Sequence, residues 1–127
     1  MHLPQVKKLL NQVRDIGIVE LHRRPWGTMY YLTIGELQIK VIKCYEGERT
    51  SLQYHNEKIE VIIPLEGKGN IIVDDNIVIC DRPGTPIFIT PKTHHQVIGP
   101  LLYLEIETND RDLDTIRVQD DYGRPTL

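Results

Sequence analysis

The sequence contains few of the residues that define disulfide-rich and zinc-ribbon proteins. Its 127 residues include two cysteines. Cys44 and Cys80 stand far apart and form no C-x-x-C pair, which excludes a disulfide framework and a cysteine-based zinc site. We expect two reduced, half-buried thiols.

Long apolar runs and an excess of one charge are also missing. No run approaches the roughly 18 apolar residues of a membrane span, and the first fifteen residues lack the apolar stretch of a signal peptide. The formal net charge is −3 and no long block of like charge occurs, which argues against nucleic acid or an anionic membrane as partner. We expect a cytoplasmic protein whose partner is a small molecule or another protein.

Length and apolar content predict one globular domain. A chain of 127 residues with 40% hydrophobic residues is large enough to bury a core without disulfides. Within residues 1–16, apolar residues recur at helical spacing and predict a short amphipathic helix. They are Leu3, Val6, Leu9, Leu10 and Val13. Residues 17–127 would then form the domain itself.

From Ile18 onward the pattern changes to short β-rich runs separated by turn residues. The runs are IVELH, MYYLTI, LQIKVIKCY, IEVIIPL, NIIVD, NIVIC, PIFIT, HQVIG and LLYLEIE. Many short strands at near-regular spacing predict an all-β, single-domain jelly-roll barrel, a fold that hides its sheet edges. The polar tail from residue 112 to 127 fits strand, turn or irregular structure equally well.

The stretch SLQYHNEKIEV, residues 51–61, combines strand-like flanks with several polar residues. Because successive side chains of a strand point to opposite faces, Gln53, His55 and Glu57 are predicted to share one face. Such a row is either a set of ligands or a face exposed to water.

The spacing of these residues resembles the two motifs of the cupin superfamily, G-x5-H-x-H-x4-E-x6-G and G-x5-P-x-G-x2-H-x3-N. In the first motif, Gly47, Gln53, His55, Glu60 and Gly67 keep the intervals, with Gln53 in place of the first histidine. The resemblance implies a cupin barrel.

The second motif is matched with more departures. Gly84 and His95 keep their interval, while Gly99 replaces the final asparagine. The proline is displaced by one place to Pro91, and Lys92 stands at the second glycine.

Longer segments resemble the C-terminal isomerase domain of type II phosphomannose isomerases, which in those proteins follows a mannose-1-phosphate guanylyltransferase. The segments are RPWGTMYYL, SLQYHNEKIEVII, ITPKTHHQV, LEIE and DTIRVQDDYGR, between residues 24 and 124. No glycine-rich phosphate loop of a nucleotide-binding domain is present. The chain therefore looks like the isomerase-type cupin alone.

The resemblance implies a divalent metal, zinc first, with manganese, nickel or iron as alternatives. Imidazole, carboxylate and amide oxygen are suitable ligands for these ions. The implied ligands are Gln53, His55, Glu60 and His95. The implied reaction interconverts mannose 6-phosphate and fructose 6-phosphate by moving a proton between C1 and C2.

Proton transfer and phosphate binding require further residues. Where the family has H-x-H-R, this chain has Glu57 and Lys58 in the last two places, so these two and His94 are our candidates for proton transfer. Arg124 is the first candidate for binding the phosphate, since arginine forks match phosphate oxygens, and Lys40 and Lys58 follow it.

Two alternative functions remain open. The replaced residues beside the motif favour a non-catalytic carbohydrate or sugar-phosphate binding module, and a cupin metal site also fits other chemistry such as that of a dioxygenase. We expect a homodimer, because homo-oligomers most often form closed dimers.

Overall fold

The computed structural model describes residues 4, 5, 8, 18–34, 36–80, 82–108 and 114–124. These residues form eleven strands. They are β1 (Ile18–Arg24), β2 (Gly27–Ile34), β3 (Leu37–Cys44), β4 (Leu52–His55), β5 (Glu60–Glu66), β6 (Asn70–Val73), β7 (Asn76–Ile79), β8 (Ile87–Ile89), β9 (His95–Ile98), β10 (Leu101–Thr108) and β11 (Thr115–Gln119).

The strands build two antiparallel sheets, as predicted. One sheet has the order β1-β2-β3-β10-β5-β8 and the other β11-β4-β9-β6-β7. Strands distant in sequence are neighbours in both sheets, which is the connectivity of a jelly roll. Each β-rich run found in the sequence corresponds to one of these strands, and part of the polar tail forms β11.

The helix predicted over residues 1–16 lies largely outside the described residues, which include only Pro4, Gln5 and Lys8 of that segment. Among the described residues, no helix is long and apolar enough to cross a membrane.

One end of the barrel interior is an apolar core. Its fully buried members include Ile62, Ile71, Ile89 and Leu101. Because side chains alternate along a strand, β10 sends Leu101 into this core and, further along the same face, the carboxylates of Glu105 and Glu107. The opposite end of the interior is therefore charged, and it contains the candidate site.

A second apolar cluster lies on the outer face of the six-stranded sheet. It consists of Tyr30, Val41 and Leu102, which alternate with inward-facing residues of β2, β3 and β10. All three are buried. This sheet therefore buries apolar residues on its outer face as well as in the apolar part of its inner face.

Both cysteines are free, as expected, but the prediction of half-buried thiols is wrong. Cys44 and Cys80 are buried, because both belong to the apolar core of the barrel. The cause is the strand period, which directs Cys44 at the end of β3 inward.

Candidate metal centre

Three buried residues from both sheets converge at the charged end of the barrel. His55 ends β4, Glu60 begins β5 and His95 begins β9. One ligand atom of each lies within 4.8 Å of the others, and each residue is at most 3% exposed. Two imidazoles and a carboxylate form a donor set typical of a divalent first-row metal.

Backbone carbonyls fix the orientation of both imidazoles. Nδ1 of His55 lies 3.0 Å from the carbonyl oxygen of Asp114, and Nδ1 of His95 lies 3.0 Å from that of Thr93. A carbonyl can only accept, so each Nδ1 carries the proton and each Nε2 presents a lone pair. Metal-bound histidines are oriented in this way.

Both lone pairs point toward the same oxygen, Oε1 of Glu60. His55 Nε2 contacts it, and His95 Nε2 lies 3.9 Å away and makes no hydrogen bond. Three acceptors that face one another need a cation or a proton between them, because buried polar atoms without a partner cost free energy. The residues present therefore fit a divalent metal.

Burial affects the protonation of the two histidines differently. Burial lowers the pKa of His95 to about 4, which leaves the neutral imidazole that binds metals. Burial also opposes a charge on His55, but the contact with Glu60 outweighs it and raises the pKa of His55. A proton or a metal ion between His55 and Glu60 satisfies the same attraction.

Gln53 lies next to this cluster. Gln53 on β4 is the antiparallel partner of His95 on β9. The Oε1 atom of Gln53 accepts a hydrogen bond of 2.7 Å from the Ser51 hydroxyl. Gln53 and His55 are two residues apart on β4, so their side chains share a face.

Asp114, which the sequence did not indicate as a site residue, stabilises the turn that follows His55. Its carboxylate accepts hydrogen bonds from the backbone N–H groups of Asn56, Glu57 and Lys58, at 3.0, 2.7 and 3.0 Å. The strand ends at His55, and the turn buries Lys58 while it exposes Glu57. The predicted row on one strand face is therefore wrong at Glu57.

A network of buried charges lies beside the cluster. Lys58 Nζ is 3.1 Å from Glu107 and 3.8 Å from Glu60. Lys40 Nζ is 2.5 Å from Glu107 and 3.5 Å from Glu105. Burial, followed by repulsion from Glu60, raises the pKa of Glu105 to about 8. The sequence offered only the alternation in LEIE as an indication of the two extra carboxylates.

A cavity opens onto this network and brings most of the predicted site residues together. Its lining includes Gln53, Lys58, Glu60, His95, Lys40 and Arg124. Three residues outside the predicted site also line it, and these are Arg24, Trp26 and Arg117.

The structure does not bring Glu57 and His94 to this cavity. The side chains of both are exposed. His94 precedes His95, so strand alternation directs it to the opposite side, where its ring centroid lies 4.9 Å from that of Tyr54. No described contact joins either residue to the cluster.

Sequence comparisons give one consistent result. The family model described as "Mannose-6-phosphate isomerase C-terminal" matches residues 14–119. Mannose-1-phosphate guanylyltransferase of Escherichia coli (strain K12) is 28% identical over an alignment of 131 residues with its gaps. The alignment covers 94% of this chain and 27% of that protein. The corresponding enzyme of Salmonella typhimurium is 27% identical with the same coverage. The chain thus spans about a quarter of the length of these curated relatives.

Solved structures share the fold. A cupin-2 domain from Rhodospirillum rubrum superposes with a TM-score of 0.65 at 18% identity, covering 72% of this chain and 70% of that one. A Streptomyces PAC13 variant with uridine gives 0.69 at 10% identity, covering 80% and 85%. KdgF from Halomonas sp. gives 0.63 at 14% identity, covering 73% and 88%. At these identities the likeness concerns the jelly-roll fold alone.

Proposed function

Because the chain belongs to the family of mannose-6-phosphate isomerase C-terminal domains, with a cupin fold, we propose that it is a metal-dependent aldose–ketose isomerase of sugar phosphates, of the mannose 6-phosphate type. The observation that carries the proposal is the convergence of two histidine lone pairs on Glu60 beside a cavity lined by cationic side chains.

In this proposal the metal is held by His55, Glu60 and His95, with Gln53 as a neighbouring oxygen donor. Zinc is the first choice, and manganese, nickel and iron suit the same ligands. When bound, the ion would polarise the substrate oxygens on C1 and C2, one of which is the carbonyl oxygen of the aldose and the other that of the ketose.

The protein itself must then orient the sugar and transfer a proton between C1 and C2. Of the three residues predicted for proton transfer, Lys58 lines the cavity, and its ammonium is 3.1 Å from Glu107. Because an ammonium can give a proton but cannot take one from carbon, we retain Lys58 as the candidate proton donor to a substrate oxygen and do not carry Glu57 and His94 into the mechanism. The proton from carbon would pass to a carboxylate of the cavity lining, which includes Glu105. The buried carboxylates of Glu60 and Glu107 hold the ammonium of Lys58 in position.

A second candidate function is a sugar-phosphate binding module without catalysis. The exposure of Glu57 and His94 favours it, because two of the three predicted proton-transfer residues lie away from the cavity. The metal ligands and the cavity suit both functions, so turnover must distinguish them.

The adjacent histidines provide a matched test. We would measure the metal content of the unchelated protein and its conversion of mannose 6-phosphate to fructose 6-phosphate, for wild type, His95→Ala and His94→Ala. The proposal expects bound metal and turnover in the wild type and in His94→Ala, and loss of both in His95→Ala. Metal without turnover would favour the binding module, and a wild type without metal would contradict the metal-dependent isomerase.

The predicted homodimer remains a prediction. Analytical ultracentrifugation would check it by giving the mass of the protein in solution.

A further inference from the structure

Three arginines from separate parts of the chain line the cavity. Arg24 ends β1, Arg117 lies on β11, and Arg124 follows that strand. The two lysines of the cavity, Lys40 and Lys58, differ from the arginines in being buried, and both form ion pairs with carboxylates of the charged network. All three arginines are partly accessible to solvent.

Arg117 belongs to a row of side chains that leads to the candidate metal ligands. It pairs with Gln53 across β11 and β4, and Gln53 pairs with His95 across β4 and β9. Neighbouring strands are about 4.8 Å apart, so the backbones at Arg117 and His95 are separated by roughly 10 Å.

Arg124 is held in place by Asp120. Its Nη2 and Nε lie 2.7 and 3.1 Å from the two carboxylate oxygens, and its backbone N–H donates to the same group at 2.7 Å. Arg117 also acts on Asp120, because both guanidiniums lower the pKa of that carboxyl. One carboxylate with two guanidiniums leaves an excess of positive charge on this side of the cavity.

We propose that Arg24 and Arg117, with Arg124 held by Asp120, bind the phosphate group of a phosphorylated sugar, while its carbonyl end lies beside Glu60 and His95. The inference rests on the substrate class of the proposed function and adds Arg24 and Arg117, which determine the direction in which the sugar enters. Guanidinium groups suit the oxygens of a phosphate dianion, and three of them around one cavity favour that charge over a neutral sugar. The Nε–Nη2 edge of Arg124 is occupied by Asp120, so this residue contributes mainly its charge.

The neighbouring residues Arg23 and Arg24 provide the control. Both belong to β1, but Arg23 is exposed and does not line the cavity. We would compare the wild type with Arg117→Gln, Arg24→Gln and Arg23→Gln. Each of these three variants loses one positive charge. Calorimetry would give the Kd of fructose 6-phosphate, of fructose and of inorganic phosphate, and elemental analysis would give the metal content.

We expect Arg117→Gln and Arg24→Gln to weaken binding of fructose 6-phosphate by about tenfold or more, as charge-assisted hydrogen bonds are lost. Metal content and the weak binding of fructose should stay unchanged, and Arg23→Gln should match the wild type. Tight binding of inorganic phosphate without discrimination between the two sugars would reject sugar phosphate as the ligand and overturn the proposal.

Two further outcomes separate this inference from the isomerase proposal. If the wild type binds fructose 6-phosphate through these arginines but does not convert it, the isomerase function fails and the phosphate site stands. If the wild type is active and the two cavity variants bind the phosphosugar as Arg23→Gln does, the phosphate site fails and the isomerase function stands. A wild type that binds no phosphate compound overturns the inference.

Discussion

Glu60 and Glu107 are direct neighbours across β5 and β10, and both are buried inside the barrel. Lys58 lies between them, 3.8 Å from Glu60 and 3.1 Å from Glu107. Like charges at opposed positions of a sheet destabilise it unless they are compensated. The lysine therefore allows the carboxylate at Glu60 to stand next to a second one.

The first prediction concerns Lys58→Met. Methionine keeps most of the side-chain volume but removes the ammonium between two buried carboxylates. Breaking a buried ion pair from one side costs about 3–5 kcal/mol, and we expect a loss of unfolding free energy of this size. Urea denaturation followed by circular dichroism would measure it.

Lys68→Met is the matched control, since Lys68 is exposed in the turn between β5 and β6. We expect its unfolding free energy to change by no more than about 0.5 kcal/mol. Equal effects of the two substitutions would show that Lys58 does not compensate buried charge.

Metal binding should stabilise the fold, because the three candidate ligands belong to both sheets. At a free metal concentration 100 times the Kd, binding to the native state contributes about 2.7 kcal/mol. We expect the melting temperature to fall when a chelator is added and to recover with excess zinc. Differential scanning calorimetry of His95→Ala, which should show no such response, is the control, and a chelator-insensitive wild type would refute the prediction.

Asp114→Ala should disturb the centre without removing a ligand. It eliminates three hydrogen bonds to the turn that follows His55. Because the carboxylate is partly exposed, we expect a destabilisation of about 1–2 kcal/mol, together with weaker metal binding. Metal competition and urea unfolding would measure the two effects, and Glu57→Ala in the same turn should change neither.

Asp120 should contribute stability that depends on pH. Arg124 holds the pKa of this carboxyl below its usual range, so the folded state binds the proton less tightly than the unfolded state. The contribution is complete above the ordinary value of about 4 and is lost as the pH falls through the lower folded value. The difference in unfolding free energy between wild type and Asp120→Asn should therefore be constant between about pH 5 and about pH 7. It should shrink in more acidic solution. A difference for Asp120→Asn that grows on acidification would have the wrong sign for this ion pair.

Cys44 should be chemically inert in the native protein. Burial raises the pKa of its thiol to about 12, which keeps it uncharged in mildly alkaline solution. We expect iodoacetamide at about pH 8 to label Cys44 roughly 100-fold more slowly in the native chain than in urea, as read by mass spectrometry. Similar rates in both states would contradict the burial of this thiol.

The fold and the core of the site could be predicted from the sequence for separate reasons. Alternating apolar residues located the strands, and the intervals from Gly47 to Gly67 and from Gly84 to His95 indicated His55, Glu60 and His95, which the structure brings together. Local pattern failed at Glu57, because a side chain distant in sequence, Asp114, ends β4 through hydrogen bonds that no local interval reveals.

The charged network was equally hidden. Glu105 and Glu107 alternate with apolar residues as they would on a half-exposed strand, so their pattern indicates a shared face without telling which face is buried. Only the pairing of β10 with β3 and β5 brings Lys40 and Glu60 beside them. Arg117 reaches the cavity for the same reason, through the register of β11 with β4.

The division of the barrel interior into an apolar and a charged end also protects strand alignment. A one-residue slip of β10 would turn its inward residues outward, and this is resisted in any sheet with a buried face. A two-residue slip would keep every side chain on its own face and is usually the harder error to prevent. Here such a slip would move Glu105 into the present position of Tyr103. Its carboxylate would then lie opposite Ile42 and away from Lys40. The charged end therefore makes the alignment of the central strands unique.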